Sequence, residues 1–155
     1  MTAELQIAPG AESDLENLKT WLAAAGLPLE DLTAAHMRNF LIATAGDTAV
    51  GMIGLEQFDD IGLLRSLVVE PSSRRHGAGQ ALVRALEEHS TSAGITELWL
   101  LTIDADEYFA RLGFEAMSRD AAPASIQMTD EFSRLCPGDA ILMRKYLLER
   151  SFQRD

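Results

Sequence analysis

Apolar and polar residues alternate over ELQIA at positions 4–8 and the alternation stops at Pro9-Gly10, the pattern of a short strand. The period then lengthens. Leu15, Leu18, Trp21, Leu22 and Ala25 recur at helical spacing, which predicts a helix opening at Glu12 or Ser13 and closing at Gly26 and Pro28. LPLEDLTAAHM reads as a short second helix beside a loop. The runs NFLIATA, TAVGMIGLEQF and GLLRSLVVEP follow, parted by Gly46-Asp47 and Asp59-Asp60. Turn signals of that kind between strand-like runs predict an antiparallel meander.

Pro71 stops the last of these strands, and a loop from Ser72 leads into a helix over about Gly79–Ala93. Ala78, Leu82, Ala85, Leu86 and Ala93 form its apolar face, Gln80, Arg84, Glu87 and Glu88 the polar one, and Gly94 closes it. ELWLLTI is the next strand. A strand, helix and strand connected over this length predict a parallel right-handed crossover. A short helix, DADEYFARL, then a strand, FEAMSR, a helical PASIQMTDEFSRL and a final strand, DAILMRKYL, complete a β-α-α-β-β-β-α-β-α-β-α-β order. The expectation is one domain over residues 1–155, an α/β protein with a mixed sheet and helices on both faces.

Charge narrows the partners. Asp and Glu outnumber Lys and Arg by 24 to 13, a formal net charge of −11. Such a field repels nucleic acid and anionic lipid, so neither is expected as a principal partner. An anion can then bind only where positive charge or free backbone N–H groups are concentrated, and the tightest basic cluster is Arg74-Arg75-His76. The single cysteine, Cys136, excludes an intramolecular disulfide and a thiolate metal cluster within one chain, and between Leu135 and Pro137 it reads as a packing residue. His36, His76 and His89 are scattered, and no metal site follows from them. The N-terminal residues lack a basic stretch followed by an apolar one, and no window approaches ~18 uninterrupted apolar residues. A soluble cytoplasmic protein is expected.

The stretch LRSLVVEPSSRRHGAGQALVRALEE places a strand, a glycine-containing loop and a helix start in succession. That order suits an anion, because the N–H groups of a helix's first turn have no intrahelical partner and carry the positive end of the dipole. Gly77 and Gly79 let a phosphate approach the backbone, and Arg74 and Arg75 add charge. Read structurally, the glycines make a tight turn and the arginines a solvated patch. Neither GxGxxG nor GxxxxGK[ST] occurs, so the dinucleotide fingerprint and the P-loop do not apply.

Arg74-Arg75-His76-Gly77-Ala78-Gly79 resembles the acetyl-CoA loop of the GNAT acetyltransferases, [Arg/Gln]-x-x-Gly-x-[Gly/Ala]. LVVEP before it is similar to the family's strand ending in Val-x-Pro, and FARLGF to the family's short helix ending in Leu-Gly-Phe, here Leu112-Gly113-Phe114. The resemblance covers nearly the whole chain. It implies the GNAT fold: a mixed, mostly antiparallel sheet of six to seven strands that splays into a slot for acetyl-CoA. It implies that the main chain from Arg75 through His76, Gly77, Ala78 and Gly79 to Gln80 holds the pyrophosphate of acetyl-CoA. By the same resemblance the backbone of Val68 and Val69 pairs with the pantetheine arm, and a bulged N–H near Leu67 or Val68 polarises the thioester carbonyl. No metal is implied.

Amine acetylation needs a neutral amine, a group to take its proton and an acid for the departing thiolate. Glu56, at the end of GMIGLEQF, is the candidate base, or a plain strand-end glutamate. The family's tyrosine, four residues before the glycine of Leu-Gly-Phe, is replaced here by Phe109. Tyr108 precedes it, pointing about 100° away on a helix; it is the candidate acid, or an aromatic packing residue. Arg65 is unusual among the apolar residues of LLRSLVV, since an unpaired buried charge is costly. It reads as facing a cleft and forking onto a substrate carboxylate, or as a salt bridge to Glu56 or another acid across strands. Ser66 points to the opposite face if the strand is regular. Thr102, at the end of the LWLLT strand, is a second candidate substrate contact.

GLLRSLVVEP, LWLLTIDADEYFARLGF and APASIQMTDEFSRLCPGDAILMRK are similar to the N-acetylglutamate-synthase-like subgroup and, within it, to arsenic-resistance N-acetyltransferases. This implies transfer of acetyl from acetyl-CoA to the amine of a small amino-acid-like molecule, an organoarsenical amino acid among the options. The chain itself carries no multi-thiol arsenic site. A protein or peptide acetyltransferase and a non-catalytic acetyl-CoA-binding module are the other classes; the acidic surface suits basic peptides, and Phe109 suits the module. Such folds commonly dimerise through the final helix and strand, which sets a homodimer as the expectation.

Overall fold

The computed structural model describes residues 5–26, 32–33, 39–70, 77–129, 132 and 140–147 of the 155-residue chain. Most of LPLEDLTAAHM, the basic residues Arg74, Arg75 and His76, and Cys136 lie outside the described residues. The strands are β1 (Leu5–Pro9), β2 (Phe40–Ala45), β3 (Thr48–Phe58), β4 (Ile61–Val69), β5 (Glu97–Thr102), β6 (Glu115–Met117) and β7 (Ile141–Tyr146). Helices among the described residues are α1 (Leu15–Ala25), α2 (Ala78–Ser92), α3 (Asp106–Arg111) and α4 (Ala124–Gln127). The strands hydrogen-bond in the order β1-β2-β3-β4-β5-β7-β6, a seven-stranded mixed sheet. The α/β class is the one expected, and the element order agrees apart from the helix expected over LPLEDLTAAHM, which falls mostly outside the described residues. The insertion of β7 between β5 and β6 is not written in any local pattern.

The chain divides into two compact units, the first comprising Met1–Glu56 and Arg65–Glu88. Its β1 and β2 pair antiparallel from Leu5↔Ala45 to Pro9↔Leu41, and β2 and β3 pair from Phe40↔Gly54 to Ala45↔Thr48. Gly46, at φ 64, makes the turn between β2 and β3. A Cβ on Gly54 would lie 2.4 Å from Cζ of Phe40, so the fully buried ring occupies the space that any side chain there would need. Leu18 and Leu22 of α1 pack with Phe40, Ile42, Met52 and Val68 as the core of this unit. The helical face was placed well for Leu15, Leu18, Trp21 and Leu22, but Ala25 is exposed, a methyl group being too small to anchor a face. The carboxylate that accepts the Ala11 N–H at 2.7 Å is that of Asp14, and a single 3₁₀ turn over Glu12–Asp14 precedes the α-helix. Gly26, at φ 71, ends it.

The second unit comprises Gln57–Leu64 and His89–Asp155. Here β4 and β5 run parallel, in register Ile61↔Glu97 to Leu63↔Trp99, and β7 pairs antiparallel with both β5 and β6. The expected parallel pairing of these strands is thus present. Leu63, Trp99, Ala122, Ile126 and Leu142 form its core. Of the helix expected over PASIQMTDEFSRL, Ala124–Gln127 form α4, which stops at Gln127, and Phe132 is again helical, while residues 130–131 and 133–135 lie outside the described residues. Thr129 accounts for the stop: its hydroxyl donates to the Ile126 carbonyl at 2.7 Å and accepts the Phe132 N–H at 3.2 Å, so a side chain takes the bonds that a continuing helix would use.

Candidate active site

The central feature lies on β3 and β4 within the first unit. β3 is buried without interruption from Val50 to Leu55 and emerges at Glu56, which is half-buried. Across from it, Arg65 is the largest fully covered side chain among the described residues, 2% exposed as a residue. Its Nη1 donates to Oε2 of Glu56 at 2.7 Å, with side-chain exposures of 0% for the arginine and 19% for the glutamate. Arg65 therefore does not face an open cleft. A buried guanidinium needs a counter-charge, and the salt bridge to Glu56 that the sequence allowed supplies it.

Next to it, Ser66 has φ 61, in the left-handed region that a residue with a Cβ seldom occupies. β4 is consequently not a regular strand. The alternation that would have sent Ser66 to the opposite face is broken at this residue, and its Oγ accepts from Nε of Arg65 at 3.1 Å. Backbone distortions of this cost are kept where the surroundings over-determine them, often at functional sites. Leu67, Val68 and Val69 follow the kink; Leu67 and Val69 are half-buried and Val68 packs in the core. Glu70 donates its N–H to the Val50 carbonyl at 2.7 Å, which ties the end of β4 down.

The start of α2 also belongs to the first unit. Gly77 has φ 79, and nothing lies within 4 Å of where its Cβ would be. Its carbonyl accepts the Ala81 N–H at 3.0 Å, so the helical ladder begins there and the N–H groups of Ala78, Gly79 and Gln80 precede it. An open groove of about 360 Å³ runs from this point along one side of the helix, lined by Gly77, Gln80, Ala81, Arg84, Ala85 and Glu88. A phosphate could approach Gly77 without steric cost and meet the N–H groups of the helix's first turn, with the Arg84 cation one turn further on. These residues fit the pyrophosphate of a CoA thioester.

The remaining candidates lie in the second unit. Tyr108 on α3 is half-buried, with its ring edge-on to Phe109 at a centroid distance of 5.3 Å. Burial raises its hydroxyl above the ordinary value of 10.0, partly offset by Arg111, so the group is protonated at neutral pH. Phe109, which stands where the resembled family has tyrosine, is 6% exposed and packs edge-on against Phe114 at 5.7 Å. It is a core residue. Thr102 ends β5, and its Oγ1 accepts the Ala105 N–H at 3.0 Å, which fixes the turn into α3. The structure thus brings together Glu56, Arg65 and Ser66. The link from Arg65 to Ser66 was missed in the sequence because it depends on a positive φ that serine does not advertise. Among the described residues no group of three or more His, Cys, Asp or Glu is placed to hold a metal ion. No helix among them is long and apolar enough to cross a membrane.

Comparison with known proteins gives a match of residues 9–114 to the model of the acetyltransferase (GNAT) family. An amino-acid acetyltransferase of Neisseria meningitidis serogroup A is 29% identical over 90 residues, 57% of this chain and 21% of that protein. The chain therefore spans about a fifth of that relative's length. Among solved structures, N-acetylglutamate synthase from Neisseria gonorrhoeae, complexed with coenzyme A and N-acetyl-glutamate, superposes with a TM-score of 0.83 at 21% identity. That match covers 95% of this chain and 36% of the other. Rv2747 from Mycobacterium tuberculosis, in complex with CoA, gives a TM-score of 0.78 at 22% identity, covering 92% and 99%. At these identities the likeness is one of fold.

Proposed function

We propose, from the premise that this chain belongs to the acetyltransferase (GNAT) family, that it acetylates the amine of a small amino-acid-like molecule by direct transfer. Family membership makes it a transferase with acetyl-CoA as the acyl donor. The acceptor class is our reading, supported by the amino-acid acetyltransferases to which it is similar. The observation that carries the reading is the Glu56 carboxylate, partly exposed and held at 2.7 Å by a buried arginine beside the kink in β4.

Bound acetyl-CoA supplies an acetyl group activated as a thioester. The N–H groups at the start of α2 hold the pyrophosphate, with Arg74, Arg75 and His76 completing the loop, and the backbone of Val68 and Val69 pairs with the pantetheine arm. An N–H just past Ser66, on Leu67 or Val68, donates to the carbonyl oxygen as negative charge develops on it. Glu56 takes the proton from the attacking amine, directly or through a water. Tyr108, protonated at neutral pH, gives its proton to the departing sulfur. Thr102 lies at the end of β5 as a contact for the acceptor. An organoarsenical amino acid is among the acceptors this reading admits. The reading also carries a homodimer and a cytoplasmic setting, the latter supported by the single cysteine.

A thiol-release assay with acetyl-CoA against amino acids, arsenical amino acids, polyamines and basic peptides tests it. Turnover concentrated on one carboxylate-bearing amine is the expected result. Turnover confined to basic peptides would transfer the protein to the peptide-acetylating class. Binding of acetyl-CoA with no turnover on any amine would make it a binding module.

A further inference from the structure

Among the described residues, Arg65 is a cation whose side chain is wholly covered and bonded to at least two different side chains of the candidate site. Its Nη1 meets Glu56 at 2.7 Å and its Nε meets Ser66 Oγ at 3.1 Å. Glu56 retains 19% of its side-chain exposure while Arg65 retains none. The Arg65 side chain has no exposed surface for a substrate carboxylate to reach, and displacing Glu56 to reach it would disable the group that takes the amine proton. The partly exposed carboxylate is the member of the pair that can meet an acceptor. The arginine stands behind it, joined to the residue that kinks β4.

We propose that Arg65 is a positioning residue: it aims the Glu56 carboxylate and braces Ser66 at φ 61, so that one buried cation fixes the proton acceptor relative to the strand that presents its N–H to the thioester. The proposal rests on the acetyl-transfer reading above. A planar, permanently charged guanidinium suits the task, because it holds two partners at set angles, which a lysine ammonium on a flexible stem does less well. Small displacements of a reacting group are costly in rate, so a loosened brace acts on kcat.

The test measures steady-state kinetics of the full chain with the acceptor on which the wild type is most active. It compares Arg65→Met, Arg65→Lys, Glu56→Gln and the double variant Glu56→Gln with Arg65→Met. Arg65→Met should lower kcat about 10- to 100-fold with the acceptor KM held within about threefold. Arg65→Lys should recover part of that loss. In the Glu56→Gln background Arg65→Met should cost less than about threefold more, because the residue acts through the carboxylate already removed. The double variant removes both charges of the Arg65–Glu56 pair together, so it keeps the comparison available if Arg65→Met alone unfolds. A KM raised about tenfold or more with kcat retained would make Arg65 the substrate fork instead. An equal kcat loss in both backgrounds would also overturn the proposal.

Should the wild type turn over no acceptor, acetyl transfer fails as a reading, and the brace is still measured by NMR. The Arg65 Nε–H signal should be protected from exchange and should move in both Glu56→Gln and Ser66→Ala. A rapidly exchanging signal that neither variant moves would show that the brace does not exist.

Discussion

Glu56 and Tyr108 occupy different environments, and the difference suits the base and acid roles proposed for them. Glu56 keeps part of its surface and is held at 2.7 Å by the Arg65 cation, which leaves its carboxylate where an acceptor amine can meet it. Tyr108 is half-buried, and burial outweighs the nearby Arg111 cation and holds it protonated. Replacing Glu56 with glutamine keeps the shape and removes the acceptor, so kcat should fall about 100-fold with little change in the KM for acetyl-CoA, as initial-rate kinetics would read. For Tyr108 the sign follows from the raised pKa: the acid form is complete at neutral pH and is lost only as pH rises past the ordinary value of 10.0. Activity should hold on this account from pH 7 toward 10 and decline above it, and Tyr108→Phe should lower the plateau about tenfold and remove that decline. A pH–rate profile in which the variant declines like the wild type would take the role away from Tyr108.

Strands and helices were legible wherever large apolar residues set the period. β3 was placed over TAVGMIGLEQF because a continuous buried run bounded by turn residues allows little else, and α2 was placed by Ala78, Leu82 and Leu86, all fully buried. Ala93, assigned to the same face, is exposed, while Val83 and Ser90 are buried without having been marked. The kink at Ser66 was illegible because residue type points to glycine for positive φ and to nothing at serine. Two glycines make tests at this scale. Gly54→Ala would drive a Cβ to 2.4 Å from the Phe40 ring, and urea denaturation should show a loss of about 1–3 kcal/mol. Gly77→Val meets no neighbour but places a branched residue at φ 79, so the chain should fold while the Kd for acetyl-CoA rises about tenfold by calorimetry. An unchanged Kd would remove the α2 start from the donor site.

For the molecule as a whole, a net charge of −11 confines anion binding to local features, which is why one loop and helix start carried so much of the sequence argument. The strand order was not recoverable in the same way, since β7 enters between β5 and β6 through contacts between residues far apart in the chain. The family match over residues 9–114 places the chain among the GNAT acetyltransferases, and the proposed acceptor is where the account commits itself. The most direct test follows the carbon: the full chain is incubated with acetyl-CoA labelled with ¹³C at the acetyl carbonyl and a mixture of free amino acids and basic peptides, and the label is located by NMR and mass spectrometry. The account predicts an amide on the amine of a free, carboxylate-bearing molecule, formed in step with CoA thiol and lost in Glu56→Gln. Label found on peptide lysines, or remaining in acetyl-CoA bound by an otherwise well-folded protein, would contradict it.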